Sequence, residues 1–361
     1  MPSHSVQVRT SDPALPPRQL LRRLLDSAVA AADPMVCVPA ALPPHPEGRV
    51  VIVGAGKASA RMAEAVEATW GPCEGLVITR DGYARQLTGI EVVEAAHPVP
   101  DQRGLEATAR LFDLLATCRE GDLVLALISG GGSALLARPA GNITLAEEQA
   151  MTRALLASGA PIDAMNLLRK HLSLAKGGNM AAAAWPARMM ALIVSDVAGD
   201  DPAAIASGPT VGDTSNPDAA RAVADRWSIP LAPSMQAVLA GPPVTFAPDA
   251  PALSRVTNSI VAAPSRSLEA AKVLGEAMGI TVEILGDALE GEAREVARQH
   301  ALRALEIQRS LGPDETPVLL LSGGECTVTR RGDGVGGPNA EFSLALAMEL
   351  AATPGITALA C

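Results

Sequence analysis

Short apolar runs alternate with amphipathic stretches along most of the chain. Runs at 49–53, 75–79, 91–95, 123–128 and 189–195 predict strands. Between them, 57–69, 102–118, 145–158, 162–168 and 174–184 carry helical patterns. Residues 18–32 read as one more amphipathic helix, with Leu20, Leu21, Leu24, Leu25 and Ala28 on one face and Arg18, Arg22 and Arg23 elsewhere. Continuous apolar strands separated by helices are the mark of a parallel sheet covered on both faces. Proline-rich 39–46 reads as a surface connection. The alternation lapses over 228–255, where Pro230, Pro233, Pro242, Pro243, Pro248 and Pro251 leave little periodicity, and this stretch reads as a passage between domains. It then resumes, with strands at 254–261, 281–285, 318–321, 326–329 and 355–361 and helices at 265–278, 292–310 and 339–351.

A chain of 361 residues exceeds one ordinary core, so two domains are expected, 1–240 and 241–361. The fold class is α/β, with a Rossmann-like parallel sheet in the first domain and a smaller α/β second domain. Aromatics make up only 2%, so the core is built from Ala, Val and Leu, and stacking platforms for single-stranded nucleic acid are lacking. The net charge of −10 also argues against nucleic acid as a partner. Five scattered cysteines without a CxxC favour reduced thiols over disulfides or a zinc site. The polar, proline-rich stretch 1–17 has no apolar signal core, and no apolar run reaches the length of a membrane span. A cytoplasmic protein with no membrane partner is expected.

The chemistry concentrates where predicted strands run into glycine. The 123–128 strand meets Ser129, Gly130, Gly131, Gly132 and Ser133; the 318–321 strand meets Ser322, Gly323, Gly324 and Glu325; the 49–53 strand meets Gly54, Ala55, Gly56 and Lys57. Glycine lets backbone N–H groups turn toward an anion, so these loops point to phosphate. Lys57 at a helix start opposes the helix dipole unless an anion compensates it. Asp196, Asp200 and Asp201 cluster after the 189–195 strand, and Glu325 sits beside its own glycines; such carboxylates suit a magnesium–phosphate site. His97 precedes Pro98 and is placed to line a cleft. Arg169 and Lys170, in a basic cluster with His171 and Lys176, are placed to receive a carboxylate. Asn339 and Glu341 project at the start of the last helix, after another glycine loop.

Taken together, GAGKAS (54–59), HPVPDQRG (97–104), SGGGSALL (129–136), SDVAGDDPAAIASGPTVGD (195–213), SGGECTV (322–328) and GVGGPNAEF (334–342) resemble the glycerate 2-kinases of the MOFRL type, relatives of which are often labelled hydroxypyruvate reductases. The resemblance covers about 20–361. It implies a Rossmann-like domain, a smaller α/β domain, an active site in the cleft between them, and ATP with a divalent cation, Mg²⁺, phosphorylating D-glycerate at its 2-hydroxyl. On that reading Lys57 contacts the transferred phosphoryl group, the 129–133 backbone cradles phosphates, and Asp196 and Glu325 hold metal or orient the C2 hydroxyl, with Asp200 a further metal candidate. Gly54, Gly56, Ser322, Gly323, Gly324 and Asn339 join the nucleotide site. His97 with Arg169 or Lys170 binds glycerate. A homodimer is left open. Pro338 stands where many members carry an arginine, and the family continues past 361 with an acidic loop, so the second domain is expected to be shortened at its end. The alternative is an NAD(P)H-dependent hydroxypyruvate reductase. Ser59 in place of a third fingerprint glycine counts against it, and Asp81 is the one ribose-binding candidate.

Overall fold

The computed structural model describes residues 15–312, 315–329 and 332–361. Contacts divide the chain into two compact units: residues 32–263, and a second unit that joins the N-terminal helix to residues 264–361.

The larger unit is built on a six-stranded parallel sheet. Its strands are β1 (Val50–Ala55), β2 (Glu74–Arg80), β3 (Ile90–Ala95), β4 (Leu123–Ser129), β5 (Arg188–Val194) and β6 (Val256–Ala262). Their spatial order is β3-β2-β1-β4-β5-β6, and every adjacent pair runs parallel. This is the Rossmann strand order, whose direction reverses between β1 and β4. Successive side chains of a strand point to opposite faces, so the apolar runs feed two cores at once. Val51, Val53, Val124, Ala126 and Ile128 enter one core, where Leu111 and Leu115 of the Gln102–Ala116 helix cover them. Ile52, Leu125 and Leu127 enter the other, under Met62, Ala63 and Val66 of the Ser59–Trp70 helix. The Gln102–Ala116 helix begins where the Asp101 carboxylate accepts from the Gly104 N–H at 3.0 Å. A Thr144–Glu147 capping box starts Leu145–Ala157.

Several boundaries differ from the sequence reading. The strand read at 254–261, placed there in the second domain, is β6 and completes the first sheet by pairing with β5. The proline-rich stretch contains the helix Pro233–Leu239, started by its own proline, and Met235 and Leu239 are buried against Met151, Leu155 and Leu168. It is part of the larger unit. The helix read at 174–184 shortens to Asn179–Ala184, because Gly177 and Gly178 take left-handed φ of 54° and 83°.

In the smaller unit, β7 (Thr281–Glu292) pairs in parallel with β8 (Val318–Thr327). Leu24 of the N-terminal Pro17–Ala32 helix is buried with Ile280 and Leu319, which is why that helix belongs here and not to the first domain. A second cluster joins Ala297 and Ala301 to Leu346 and Leu350 across the helices Ala293–Ser310 and Pro338–Leu350. Residues 355–361, read as a strand, are irregular. No single helix among the described residues is long and apolar enough to cross a membrane.

Candidate active site

In an open α/β sheet, ligands bind beyond the carboxyl ends of the strands where the winding reverses. Here those ends belong to β1 and β4, and their loops are stitched together. The Lys57 N–H donates to the Gly130 carbonyl at 2.9 Å, and the Ala58 N–H donates to Ser129 Oγ at 3.0 Å. Ser129 is therefore a buried cap on the Ser59–Trp70 helix, with its hydroxyl turned inward. Gly54 and Gly56 lie against the Leu127 and Ser129 backbone, too close for a side chain, and so serve contact between the strand ends.

The Lys57 ammonium lies 3.8 Å from Asp196 Oδ2, and the two side chains remain 42% and 51% exposed. So open a pair adds little stability, which leaves both charges accessible to a ligand. Gly131 takes φ of 83°, and a Cβ there would stand 3.1 Å from the His97 ring and 3.2 Å from Lys57 Cε. A Cβ on Gly130 would overlap the Asp196 carboxylate, and one on Gly132 would meet Ala206 Cβ at 2.6 Å. Each of the three glycines thus gives room to a different neighbour of the same loop. Burial holds the His97 pKa below its usual value, Lys57 and Arg80 push the same way, Asp196 opposes them, and Arg169 adds to the lowering. The imidazole is neutral at neutral pH, and it stands within the field of three cations and one carboxylate.

The helix Ile162–His171 separates the two basic candidates. Lys170 is turned to Asp213 Oδ1 at 3.3 Å, in a pair only 11% and 7% exposed, and His171 lies 3.4 Å from the other oxygen. Burial pushes the Asp213 carboxyl up, but hydrogen bonds from His171 and the Ser215 hydroxyl, with the Lys170 charge, hold it well below the usual carboxylate range. Lys170 is thereby committed to structure and is not a carboxylate receiver. Arg169 has only a long hydrogen bond, 3.5 Å, from Nη1 to Asn166 Oδ1, and no ion pair among the described residues.

Behind Arg169 lie two buried charges that the sequence did not single out as partners. Lys176 is 1% exposed and donates to the Leu136 carbonyl at 2.9 Å and to Ser173 Oγ at 3.2 Å. Glu148 is buried with Oε2 unpartnered. Burial pushes the Lys176 pKa down to about 8, with Glu148 opposing. Below that value the folded and unfolded chains both hold the proton, and the cost of the buried charge is present in full. Between about 8 and the ordinary 10.5 the folded chain sheds its proton first, so stability rises with pH. Chemical denaturation across pH 8–10 should show a stability gain in the natural protein that Lys176→Met lacks. Parallel curves would contradict this.

Of the acidic residues, Asp200 is partly buried with φ of 54°, and Asp201 accepts from the Ala203 N–H. No three His, Cys, Asp or Glu side chains among the described residues gather into a metal cage. Among the described acidic residues, Asp196 is the one whose carboxylate lies against the glycine loop, at Gly130. Magnesium commonly takes one or two carboxylates and completes its shell with phosphate and water, and one open carboxylate beside the glycine loop fits that mode.

The smaller unit alters the reading of its motif. Ser322, Gly323, Gly324 and Glu325 lie within β8, paired along β7, and do not form a loop after the strand. Gly324, with φ of 145°, would place a Cβ 2.1 Å from the Leu289 carbonyl oxygen, so it answers to close strand contact. His300 Nδ1–H donates to the Val296 carbonyl at 2.7 Å, which leaves Nε2 to accept from the Ser322 hydroxyl at 2.9 Å. Glu325 is exposed opposite Glu290. Asn339 is exposed on the first turn of Pro338–Leu350, and Glu341 pairs with Arg294.

A lysine, a glycine loop and an open carboxylate at the switch point of a Rossmann-like sheet, with a guanidinium that has no ion pair among the described residues, suit a ligand carrying phosphate and carboxylate. Residues 20–240 match a domain family described only as of unknown function (DUF4147), and 318–361 match the MOFRL family. The D-glycerate 2-kinase of Thermotoga maritima is 36% identical over 343 residues, 94% of this chain and 81% of that protein. The crystal structure of a Thermotoga maritima glycerate kinase superposes with a TM-score of 0.82, covering 94% of this chain and 80% of that one. An Agrobacterium vitis protein, 48% identical over 95% of this chain and 78% of its own length, carries a provisional hydroxypyruvate reductase name. The chain belongs to the MOFRL-type glycerate 2-kinase family.

Proposed function

We infer that this chain is a glycerate 2-kinase that uses ATP and Mg²⁺ to convert D-glycerate to 2-phosphoglycerate. The observation that carries the reading is the meeting of Lys57, Asp196 and the Gly131 loop at the β1/β4 switch point. Phosphoryl transfer asks for positioning and charge neutralisation more than for covalent chemistry. Lys57, open to solvent and fixed at its backbone by Gly130, is placed to contact the transferred group. The 129–133 backbone lines the phosphate side. Arg169, which has no ion pair among the described residues, is the cation we assign to the glycerate carboxylate, and neutral His97 adds no competing charge. A bound magnesium ion would neutralise phosphate charge, and Asp196 is the carboxylate here that would hold it.

The reductase reading loses support at the nucleotide-binding positions. Asp81, its ribose candidate, is clamped by Arg103 at 2.7 and 2.9 Å. Ser59, where the fingerprint has its third glycine, is buried with its hydroxyl against the Gly56 and Ile78 carbonyls. Parallel assays separate the two. Glycerate-dependent ADP formation with Mg²⁺ supports the kinase; hydroxypyruvate-dependent oxidation of NADH or NADPH without ATP overturns it.

A further inference from the structure

Residues 205–208 form a turn that amino acids with side chains rarely adopt. Ala206 and Ser207 have φ of 52° and 60°, and Gly208 follows at 62°. Left-handed backbone at non-glycine residues is costly and persists where the surroundings over-determine it. Two contacts do so here. Ala206 Cβ packs into the space left by Gly132, and the Ser207 hydroxyl, fully buried, lies 2.7 Å from Ser133 Oγ and 2.9 Å from Asn166 Oδ1.

The protons in this chain can be assigned. Asn166 Nδ2 donates to the Ala204 carbonyl at 3.0 Å, and Arg169 Nη1 approaches Oδ1, so the amide has one orientation. Asn166 Oδ1 is then an acceptor, and Ser207 must donate to it. With its single proton used there, Ser207 can only accept from Ser133. The Ser133 proton is spent inward, and on this partly buried side chain only lone pairs remain for a ligand. It cannot donate to a phosphate oxygen. The relay also ends on an amide, which takes no proton, so Ser133 cannot serve as a base for the reacting hydroxyl. What it can accept from is a group that keeps its proton, such as a hydroxyl that does not react.

We propose that Ser133 Oγ binds the non-reacting hydroxyl of the acceptor substrate, the C3 hydroxyl of glycerate, and that Ser207 and Asn166 are positioning residues that set it as an acceptor. Arg169 touches the same Asn166, so carboxylate and hydroxyl receivers share one network. The proposal rests on the glycerate kinase reading and adds the basis of its selectivity to it.

The test compares D-glycerate with D-lactate, which lacks only the 3-hydroxyl. In full-length Ser133→Ala, KM for glycerate should rise about fivefold, the usual worth of one neutral hydrogen bond. The inhibition constant of D-lactate against glycerate should be unchanged. Ser207→Ala should lose the same preference, and thermal melting verifies the fold of each variant. Equal weakening of both acids, no change in either, or an effect confined to KM for ATP would overturn the proposal. Failure of the natural protein to form ADP with glycerate would instead sink the kinase reading beneath it.

Discussion

Replacing Lys57 by alanine should lower kcat with glycerate by about 100-fold and raise KM far less. The side chain is 42% exposed, and its ionic partner among the described residues, Asp196, is more exposed still, so it contributes little to folding. Its backbone contact with Gly130 survives the substitution. A contact that strengthens as charge develops on the transferred group acts on the transition state and so appears in kcat. A factor of about 100 is typical for one preorganised electrostatic donor. Steady-state kinetics with a melting curve checks this. Turnover within a few-fold of the natural protein would make Lys57 an ordinary turn residue.

Gly131→Val should reduce turnover at least as strongly, for a different reason. At φ of 83° a β-branched side chain is strained before it meets anything. Its Cβ would also press on the His97 ring at 3.1 Å and on Lys57 Cε at 3.2 Å, displacing both from the loop. Affinity for ATP, read by isothermal titration, should fall, and the backbone strain should also lower the melting temperature without ligand. Unchanged affinity with a large drop in melting temperature would assign the glycine to strand–helix packing alone.

The sheet could be read from the sequence because its strands are apolar on both faces and its helices punctuated. The Lys57 loop, the 129–133 loop and Asp196 could be read because each stands directly after such a strand, and parallel strands bring their carboxyl ends together. Elements whose partners are distant in sequence could not be read this way. The amphipathic pattern of Pro17–Ala32 announces a helix but not that Leu24 packs on Ile280 and Leu319. The Ser322 motif looks like the Ser129 motif, yet β7 continues to Glu292 and holds it in a ladder. Arg169 and Lys170 are neighbours in sequence, and only Asp213, 43 residues on, decides that Lys170 is occupied. The Ala206–Ser207 turn left little sign, since alanine and serine do not advertise left-handed backbone; the signal available was the adjacent Gly208–Pro209 pair.

The reaction proposed for this site is phosphoryl transfer to the 2-hydroxyl of glycerate. The most direct measurement is the position of phosphate in the product, by proton-coupled phosphorus NMR after incubation with D-glycerate, ATP and Mg²⁺. A phosphate coupled to the single proton on C2 is expected, formed with one equivalent of ADP and nearly abolished in Lys57→Ala. Phosphate coupled to the two protons of C3, or no phosphorylated product at all, would contradict it.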